Sequence, residues 1–217
     1  MRVTVIGGTG LVGAALLDRL LASGDEVHSL SRRPSGRTHP GLTEHVAPPA
    51  QWPDIVCGIG ADAAVSALGT TIRATGSQAA FRAVDLDMVA AFAKAARAAG
   101  ASRMAAISSV GADARSRAFY LRTKGEMEQA LEALAFARLD IFRPGLLRGQ
   151  REGAPRPAER IGLVLSPLLN LVLRGALDRY AAIDANIVAA AAAYALRQQA
   201  PGLYRHDNRA IRRLAAQ

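Results

Sequence analysis

The stretch Met1-Arg-Val-Thr-Val-Ile-Gly-Gly-Thr-Gly-Leu-Val-Gly13 sets the fold, because it joins a short apolar strand to a glycine turn and then to a helix. At the spacing of Gly7, Gly10 and Gly13, the first glycine permits a tight turn and the second lets backbone approach a pyrophosphate. The third lets the helix lie close to the strand. The helix would aim its free N–H groups and its positive dipole end at the phosphates. The pattern predicts a dinucleotide-binding turn; the alternative is a glycine-rich junction that binds nothing.

Length and charge narrow the class of protein. The 217 residues, half of them apolar, make one large domain with a sizeable core. The net charge of +9 comes from 25 Arg and only two Lys, with no basic run beyond Arg32-Arg33 and Arg212-Arg213. No aromatic platform accompanies these charges, so we expect no nucleic-acid partner.

Cysteine content and hydropathy bear on the compartment. A single cysteine, Cys57, rules out an internal disulfide, and no signal-peptide pattern is present, so we expect a cytoplasmic protein. The four His lack metal-ligand spacing, so we expect no metal. The longest apolar stretch, residues 161–173, contains Pro167 and Asn170 and is shorter than the roughly 20 residues that a membrane span needs.

Strands and helices alternate along the chain. Apolar strands are predicted at residues 3–6, 26–33, 43–47, 62–69, 103–107 and 137–142. Helices are predicted behind the glycine turn up to Gly24, from Val84 to Ala99, and from Ala118 to about Leu134. A further helix is predicted to be capped by Asp184 and to run through Ile187, Val188 and Tyr194. This alternation predicts an α/β fold with a doubly wound parallel sheet in the order 3-2-1-4-5-6.

The end of the second predicted strand bears on cofactor choice. A site for NAD would usually place an acidic residue there, to accept hydrogen bonds from the ribose hydroxyls. This chain has Ser31, Arg32 and Arg33 instead. A guanidinium suits a 2′-phosphate, so we predict NADP (NADPH); two solvated loop arginines are the alternative.

Three further residues form a candidate catalytic set. Ser109 ends a predicted strand, and Tyr120 and Lys124 lie one turn apart on one helix face. Carbonyl reduction needs a proton donor, and an ammonium near a phenol favours the phenolate, while a serine hydroxyl stabilises charge on the substrate oxygen. The alternative is a surface helix with an incidental Tyr and Lys, for which a chance Tyr-x-x-x-Lys has odds of roughly 4%.

Together, Gly7-Gly-Thr-Gly-Leu-Val-Gly13, Ser109 and Tyr120-x-x-x-Lys124 resemble the atypical short-chain dehydrogenase/reductases. The chain is also similar to the oxidoreductase-like Tat-interacting-protein group. That similarity lies in Leu68-Gly-Thr-Thr71, Phe81-x-x-Val84-Asp85, Ser108-Ser-Val-Gly-Ala112, Tyr120-Leu-x-x-Lys124-Gly-Glu126 and Arg143-Pro-Gly145, with a weaker match over residues 181–196.

The resemblance implies an NADP-linked Rossmann fold with Ser109, Tyr120 and Lys124 as catalytic residues. The cofactor-binding positions it implies are Gly7, Thr9, Gly10, Leu11, Val12, Gly13, Ser31, Arg32, Arg33, Leu68, Gly69, Thr70, Tyr120, Lys124, Arg143 and Pro144. One departure concerns the asparagine that many members carry on the helix before the serine strand. The Asn residues here are Asn170, Asn186 and Asn208, so Asp85 or a water would have to take that place.

The chain is thus expected to have an NADP-binding Rossmann core at residues 1–150 and a small C-terminal substrate-covering region at residues 151–217. The leucines of residues 161–173 fit an apolar substrate pocket, core packing or the interface of a homodimer. The predicted function is NAD(P)H-dependent oxidation or reduction of a small-molecule carbonyl or alcohol, an apolar one if those leucines line the pocket. The alternative is an NADP-binding regulatory or assembly protein without turnover.

Overall fold

The protein is described from a computed structural model that covers residues 1–149 and 180–217. Its centre is a seven-stranded sheet in which every neighbouring pair is parallel, in the order β3-β2-β1-β4-β5-β6-β9. Two short strands, β7 and β8, form a separate parallel pair. Because all strands of the main sheet run the same way, their carboxyl ends share one edge.

The strands are β1 Arg2–Ile6, β2 Glu26–Ser31, β3 Leu42–Val46, β4 Ala63–Ser66, β5 Arg103–Ile107, β6 Arg138–Phe142, β7 Leu147–Arg148, β8 Ile183–Asp184 and β9 Gly202–His206. The helices are α1 Leu11–Ala22, α2 Trp52–Ile59, α3 Ile72–Thr75, α4 Gln78–Arg82, α5 Val89–Ala98, α6 Phe119–Glu132, α7 Ala185–Ala195 and α8 Asn208–Ala215. A 3₁₀ turn, Pro49–Gln51, precedes α2, and a π-helical segment, Ala83–Met88, joins α4 to α5.

The predicted strand order is confirmed and gains a seventh member. β9 pairs with β6 from Arg138↔Gly202 to Phe142↔His206, at a position the sequence did not predict. As an outer strand it is covered less than its neighbours, and Leu203 is 43% exposed. Its sequence, Gly202-Leu-Tyr-Arg-His206, holds a single aliphatic side chain, fewer than inner strands such as β1 and β5. Helices α2, α3, α4 and α8 were also not predicted.

Each face of the sheet carries one apolar core. On one face, α1 and α7 pack together over Val3, Val5 and Val27. On the other face, α2, α5 and α6 cover Ile6, Leu30 and other buried side chains, among them Val56, Phe92, Met104 and Leu131. These two layers of helices hold the sheet rigid, so the loops at its carboxyl edge stand on a fixed support.

The predicted boundary between core and C-terminal region falls at residue 150, outside the described residues, as do residues 161–173. Among the residues described, no helix is both long enough and apolar enough to cross a membrane.

Candidate active site

The glycine turn between β1 and α1 is packed so tightly that two of its glycines allow no side chain. Gly7 has φ +84°, and a Cβ there would lie 2.4 Å from the carbonyl carbon of Ala67. At Gly13 a Cβ would lie 2.0 Å from the Gly7 oxygen, so α1 sits directly on the turn. Gly10 is different, since the nearest protein atom to its Cβ position is the Gly7 oxygen at 3.2 Å. The protein interior therefore accounts for Gly7 and Gly13, and Gly10 leaves space above the turn for a ligand.

A cavity of about 440 Å³ opens beside this turn. It is lined by Thr9, Gly10, Leu11, Ala14, Ala15, Asp18, Arg33, Pro34, Ser35, Arg37, Gly149, Ala185 and Asn186. In the described chain no side chain caps the N-terminus of α1, and its first turn carries no acidic residue. Backbone N–H groups and a positive dipole end thus face the cavity, which suits the pyrophosphate of a dinucleotide.

The loop after β2 gives this cavity its charge. Arg33, Ser35 and Arg37 line it, whereas Arg32 is exposed and is not among the lining residues. Arg37 lies against Asp18 of α1, with Nε 2.7 Å from Oδ1 and a second contact at 3.1 Å. Ser31 is buried, and its hydroxyl donates to the Arg33 carbonyl. Ser31 therefore holds the backbone of this loop. The sequence reasoning missed Ser35, Arg37 and Asp18, because none belongs to a fixed-spacing motif.

Lys124 is buried in an ion pair. Its side chain is 4% exposed, and Nζ lies 2.6 Å from Oδ1 of Asp85, whose carboxylate is fully buried. The other oxygen, Oδ2, accepts a hydrogen bond of 3.0 Å from the backbone N–H of Thr70. One carboxylate in the π-helical segment thus links the loop after β4 to α6.

Tyr120 lies one turn before Lys124 and is 37% exposed. Its ring packs against Phe81 with centroids 5.6 Å apart and planes inclined at 49°. Phe81 is fully buried and lies four residues before Asp85. Two side chains from α4 and the π-helical segment therefore contact two side chains of α6. The Phe81 ring packs against the Tyr120 ring, and the Asp85 carboxylate pairs with the Lys124 ammonium. Tyr120 is therefore partly exposed in the first turn of α6, directly after the loop that follows β5.

The two serines after β5 have different surroundings. Ser108 is buried, its N–H donates to the Phe142 carbonyl, and its hydroxyl donates to Glu128 of α6 at 2.5 Å. Ser109 is half-buried, and its hydroxyl is 3.3 Å from the carbonyl of Val110. A neighbouring carbonyl is a partner that the Ser109 hydroxyl can leave for a ligand, whereas the Ser108 hydroxyl is committed to a carboxylate.

Arg143 and Pro144 follow β6 on the same edge. The Arg143 Nε is 3.0 Å from Oε1 of Glu128, and these hydrogen bonds raise the pKa of the Arg143 guanidinium against the opposing effect of burial. The Pro144 carbonyl accepts a hydrogen bond of 3.0 Å from the N–H of Val110. Glu128 thereby joins the loop after β5 to the loop after β6.

The predicted site residues lie on connected segments of the sheet's carboxyl edge. Gly7 abuts Ala67 and Leu68, Thr70 bonds Asp85, Asp85 pairs with Lys124, and Val110 bonds Pro144. These contacts link the glycine turn to α6, and the loop after β5 to the loop after β6. The loop after β2 reaches the cavity through Arg33, Ser35 and Arg37, whereas Arg32 lies outside it. Neither Glu128 nor Phe81 was predicted as a supporting residue, although Glu128 follows Tyr120 and Lys124 at the same helical spacing on α6.

The chain has clear relatives. Residues 7–160 match the family described as NAD(P)H-binding. The protein fmp52, mitochondrial, of Emericella nidulans is 38% identical over 188 residues, which is 82% of this chain and 80% of that protein. Protein FMP52, mitochondrial, of Debaryomyces hansenii is 38% identical over 167 residues, 74% of this chain and 73% of that protein.

Solved structures share the fold at low sequence identity. The Bordetella bronchiseptica enzyme WbmH in complex with NAD+ has a TM-score of 0.71 and 17% identity, covering 95% of this chain and 75% of that one. The UDP-glucose 4-epimerase of Thermus thermophilus in complex with NAD has a TM-score of 0.70 and 18% identity, covering 100% and 82%. The chain therefore shares its fold with these NAD-binding proteins.

These comparisons correct one prediction. The expected cytoplasmic location is wrong, because the curated relatives are named as mitochondrial proteins. A single cysteine does not separate one reducing compartment from another. The match over residues 7–160 and the extent of identity to the fungal proteins place this chain in the NAD(P)H-binding family, as a homologue of the FMP52 proteins with a Rossmann-type fold.

Proposed function

We propose that the protein is an NADP(H)-dependent oxidoreductase of the short-chain dehydrogenase/reductase type, acting on a small carbonyl or alcohol. The observation that carries this proposal is the placement of Tyr120 and Lys124. The Tyr120 side chain is partly exposed in the first turn of α6, and the Lys124 ammonium lies one turn further along, held by Asp85. The similarity to the oxidoreductase-like Tat-interacting-protein group belongs to this proposal and points to the same residues.

The chain's own groups divide the work. A bound nicotinamide dinucleotide supplies or accepts the hydride. The N-terminus of α1 and the glycine turn would hold its pyrophosphate, since their N–H groups face the cavity. The Tyr120 hydroxyl would give its proton to the substrate oxygen in reduction and take it back in oxidation. Ser109 would donate a hydrogen bond to that oxygen as charge develops, and the Lys124 ammonium would favour the phenolate left on Tyr120.

We further propose a preference for NADP over NAD, supported by the cationic wall of the cavity. Arg33 lines the cavity and Arg32 does not, which makes Arg33→Ala and Arg32→Ala a matched pair. We expect Arg33→Ala to weaken NADPH binding by about 10–100-fold, the value of a charged hydrogen bond, with little change for NADH. Arg32→Ala should leave both affinities nearly unchanged. Titration of both cofactors by fluorescence checks this, and equal losses for NADPH and NADH would contradict it.

A second function is favoured by one observation. The ammonium of Lys124 is engaged by a buried carboxylate, an arrangement that a cofactor-binding regulator without turnover would also tolerate. In that alternative the chain binds the dinucleotide and signals its presence, and the substitution of Tyr120 has no chemical consequence.

Single-turnover reduction of a panel of carbonyl compounds with NADPH separates the two functions. We expect Tyr120→Phe to slow hydride transfer by about 10²–10⁴-fold while NADPH still binds, since the proton donor alone is lost. Tyr194→Phe is the control, because Tyr194 lies on α7 beside the carboxyl-terminal end of α1, away from the carboxyl edge. NADPH binding without turnover of any carbonyl by the unsubstituted protein, or an equal rate in Tyr120→Phe, would favour the regulator.

A further inference from the structure

The carboxylate of Asp85 faces two donors at once. Oδ2 accepts from the backbone N–H of Thr70 at 3.0 Å, and Oδ1 lies 2.6 Å from the ammonium nitrogen of Lys124. Asp85 has no exposed surface, and Oδ1 has no other partner in the described chain. Water is therefore not available to replace a contact that is lost.

This geometry requires an aspartate. A carboxylate has acceptor oxygens on both sides, whereas an asparagine has one acceptor oxygen and one donor NH₂. If an asparagine turned its oxygen to Thr70, its NH₂ would face the Lys124 ammonium, and the opposite rotamer would set NH₂ against the Thr70 N–H. The asparagine that many members of the resembled family carry in this region would not serve here.

The location of Asp85 relates these contacts to the proposed cofactor and catalytic residues. Thr70 lies in the loop after β4 that abuts the glycine turn through Gly7, Ala67 and Leu68. Lys124 lies on α6 beside the candidate proton donor. Asp85 stands between them in the π-helical segment Ala83–Met88, a distortion that is frequent at functional sites. A buried ion pair contributes little net stability compared with apolar packing, so stability alone does not account for it.

We propose that Asp85 is a positioning residue that couples the loop after β4 to Lys124, by accepting the Thr70 N–H and the Lys124 ammonium on its two oxygens. A dinucleotide that orders this loop thereby fixes the ammonium for the reaction. The inference deepens the proposed function and rests on it for this last step, whereas the coupling itself is a property of the protein without cofactor.

The two lysines of the chain allow a direct test without cofactor. Lys94 on α5 is exposed and Lys124 is buried, so acylation of Lys124 is measured against Lys94 by mass spectrometry in the same sample. Hydrogen exchange reports the Thr70 N–H. The variants are Asp85→Asn and Asp85→Ala, with Asp87→Asn as the control, because Asp87 is an exposed neighbour in the same segment.

In Asp85→Asn we expect either the relative acylation of Lys124 or the exchange of Thr70 to rise by about tenfold or more, since an amide satisfies only one of the two donors. In Asp85→Ala both should rise, and in Asp87→Asn neither should. If Asp85→Asn keeps both readings at the parent level, the proposal is wrong. If that variant does not fold by circular dichroism, Lys124→Met carries the test: faster Thr70 exchange supports the coupling, and unchanged exchange overturns it.

Single-turnover hydride transfer then tests the step that depends on the cofactor. We expect Asp85→Asn to slow the reaction by about 10–100-fold with a smaller change in NADPH affinity, because the link between the Thr70 loop and Lys124 is broken in either rotamer while the glycine turn is untouched. A parent protein that neither binds NADPH nor turns over would refute the proposed function, with the acylation and exchange results still deciding on the coupling. Turnover in the parent with equal rates in Asp85→Asn and Asp87→Asn would refute only the inference.

Discussion

At the scale of single residues, two adjacent serines have hydroxyls with different roles because one serine is buried and the other is half-buried. Ser108 is 6% exposed and donates to Glu128, which also holds Arg143. Ser109, one residue later, is half-buried, and in the described structure its hydroxyl bonds only the carbonyl of Val110. A group whose partner is a buried carboxylate contributes to stability, and a group with a weak local partner is available to a ligand.

The first prediction compares Ser108→Ala with Ser109→Ala. We expect Ser108→Ala to lower the free energy of unfolding by about 1–3 kcal/mol, because the buried carboxylate of Glu128 loses a donor. Ser109→Ala should leave unfolding nearly unchanged and slow turnover by about 10²-fold, the effect of losing one donor to a developing oxyanion. Urea unfolding and single-turnover kinetics on both variants check this. A stable, fully active Ser109→Ala would remove Ser109 from the site.

The sequence predicted residues that belong to motifs with fixed spacing. It missed residues whose role depends on packing in the folded protein. Gly7 and Gly13 follow a known pattern, and each is sterically required in the structure. Phe81 supports α6 from a position distant along the chain, and Glu128, on α6 itself, bonds Ser108 and Arg143 of the neighbouring loops. Ser109, Tyr120 and Lys124 stay predictions in their catalytic roles, although the contacts around Lys124 were not expected from the sequence.

At the scale of elements, α6 is held against the loop after β5 by a glycine next to Lys124. A Cβ at Gly125 would lie 2.1 Å from the Ala114 nitrogen and 2.3 Å from the Asp113 carbonyl carbon. Both are backbone atoms, which move only with their segment. The register of Tyr120 and Lys124 toward the edge of the sheet therefore depends on the absence of a side chain at Gly125.

The second prediction follows from this contact. Gly125→Ala should lower the free energy of unfolding by about 1–3 kcal/mol, the usual effect of overpacking, despite the better helix propensity of alanine. Gly58→Ala is the matched control, since Gly58 lies in α2 and a Cβ there meets nothing within 4 Å. That change should stabilise by about 0.5–1 kcal/mol. Equal changes in the two variants would mean that α6 moves freely away from the loop.

A third prediction concerns the edge strand β3 and its neighbour β2. The Nδ1 of His28 lies 3.0 Å from the Nε2 of His45, and burial, with the nearby His28, lowers the pKa of His45 from its ordinary 6.5. As the pH falls below 6.5, the unfolded chain therefore binds a proton before the folded one, and stability decreases. Glu26, whose pKa is lowered chiefly by the hydrogen bond with His28, loses its contribution only below its ordinary 4.5.

We expect the urea midpoint to fall as the pH is taken from 7 toward 5, and His45→Gln to flatten this response. His39→Gln is the control, because His39 is exposed in the loop before β3. A pH response that is the same in the parent and in His45→Gln would contradict the assignment to His45.

At the scale of the whole molecule, the chain after residue 180 completes the structure that its first half begins. α7 packs on α1, and β9 lies on β6 as the seventh strand. The sequence predicted six strands in the right order from the alternation of short apolar segments with helical periodicity. It missed β9 and α8 because β9 is covered less fully and its polar residues are satisfied by long-range partners, such as His206 with Asp140 at 2.8 Å.

The last prediction tests how Asn208 connects the C-terminal part of the chain to the loop after β6. Asn208 at the start of α8 is fully buried; its Oδ1 accepts the Gly145 N–H at 2.9 Å and its Nδ2 donates to the Ala181 carbonyl at 2.7 Å. Asn208→Asp keeps the first contact and turns the second into an oxygen facing an oxygen. We expect a loss of about 1–3 kcal/mol in the free energy of unfolding, or more if the new carboxylate stays charged.

Because Gly145 follows Arg143 and Pro144, Asn208→Asp should also loosen the loop after β6, and NADPH affinity should fall with stability. Gln199→Glu is the control, since it makes the same amide-to-carboxylate change at an exposed side chain whose oxygen accepts from Arg103 and which does not line the cavity beside the glycine turn. Urea unfolding and cofactor titration measure the two effects. If Asn208→Asp unfolds at the same urea concentration as the parent, the segment around Ala181 is held to the core by other contacts, and the C-terminal part of the chain does not depend on this side chain for its place beside the carboxyl edge.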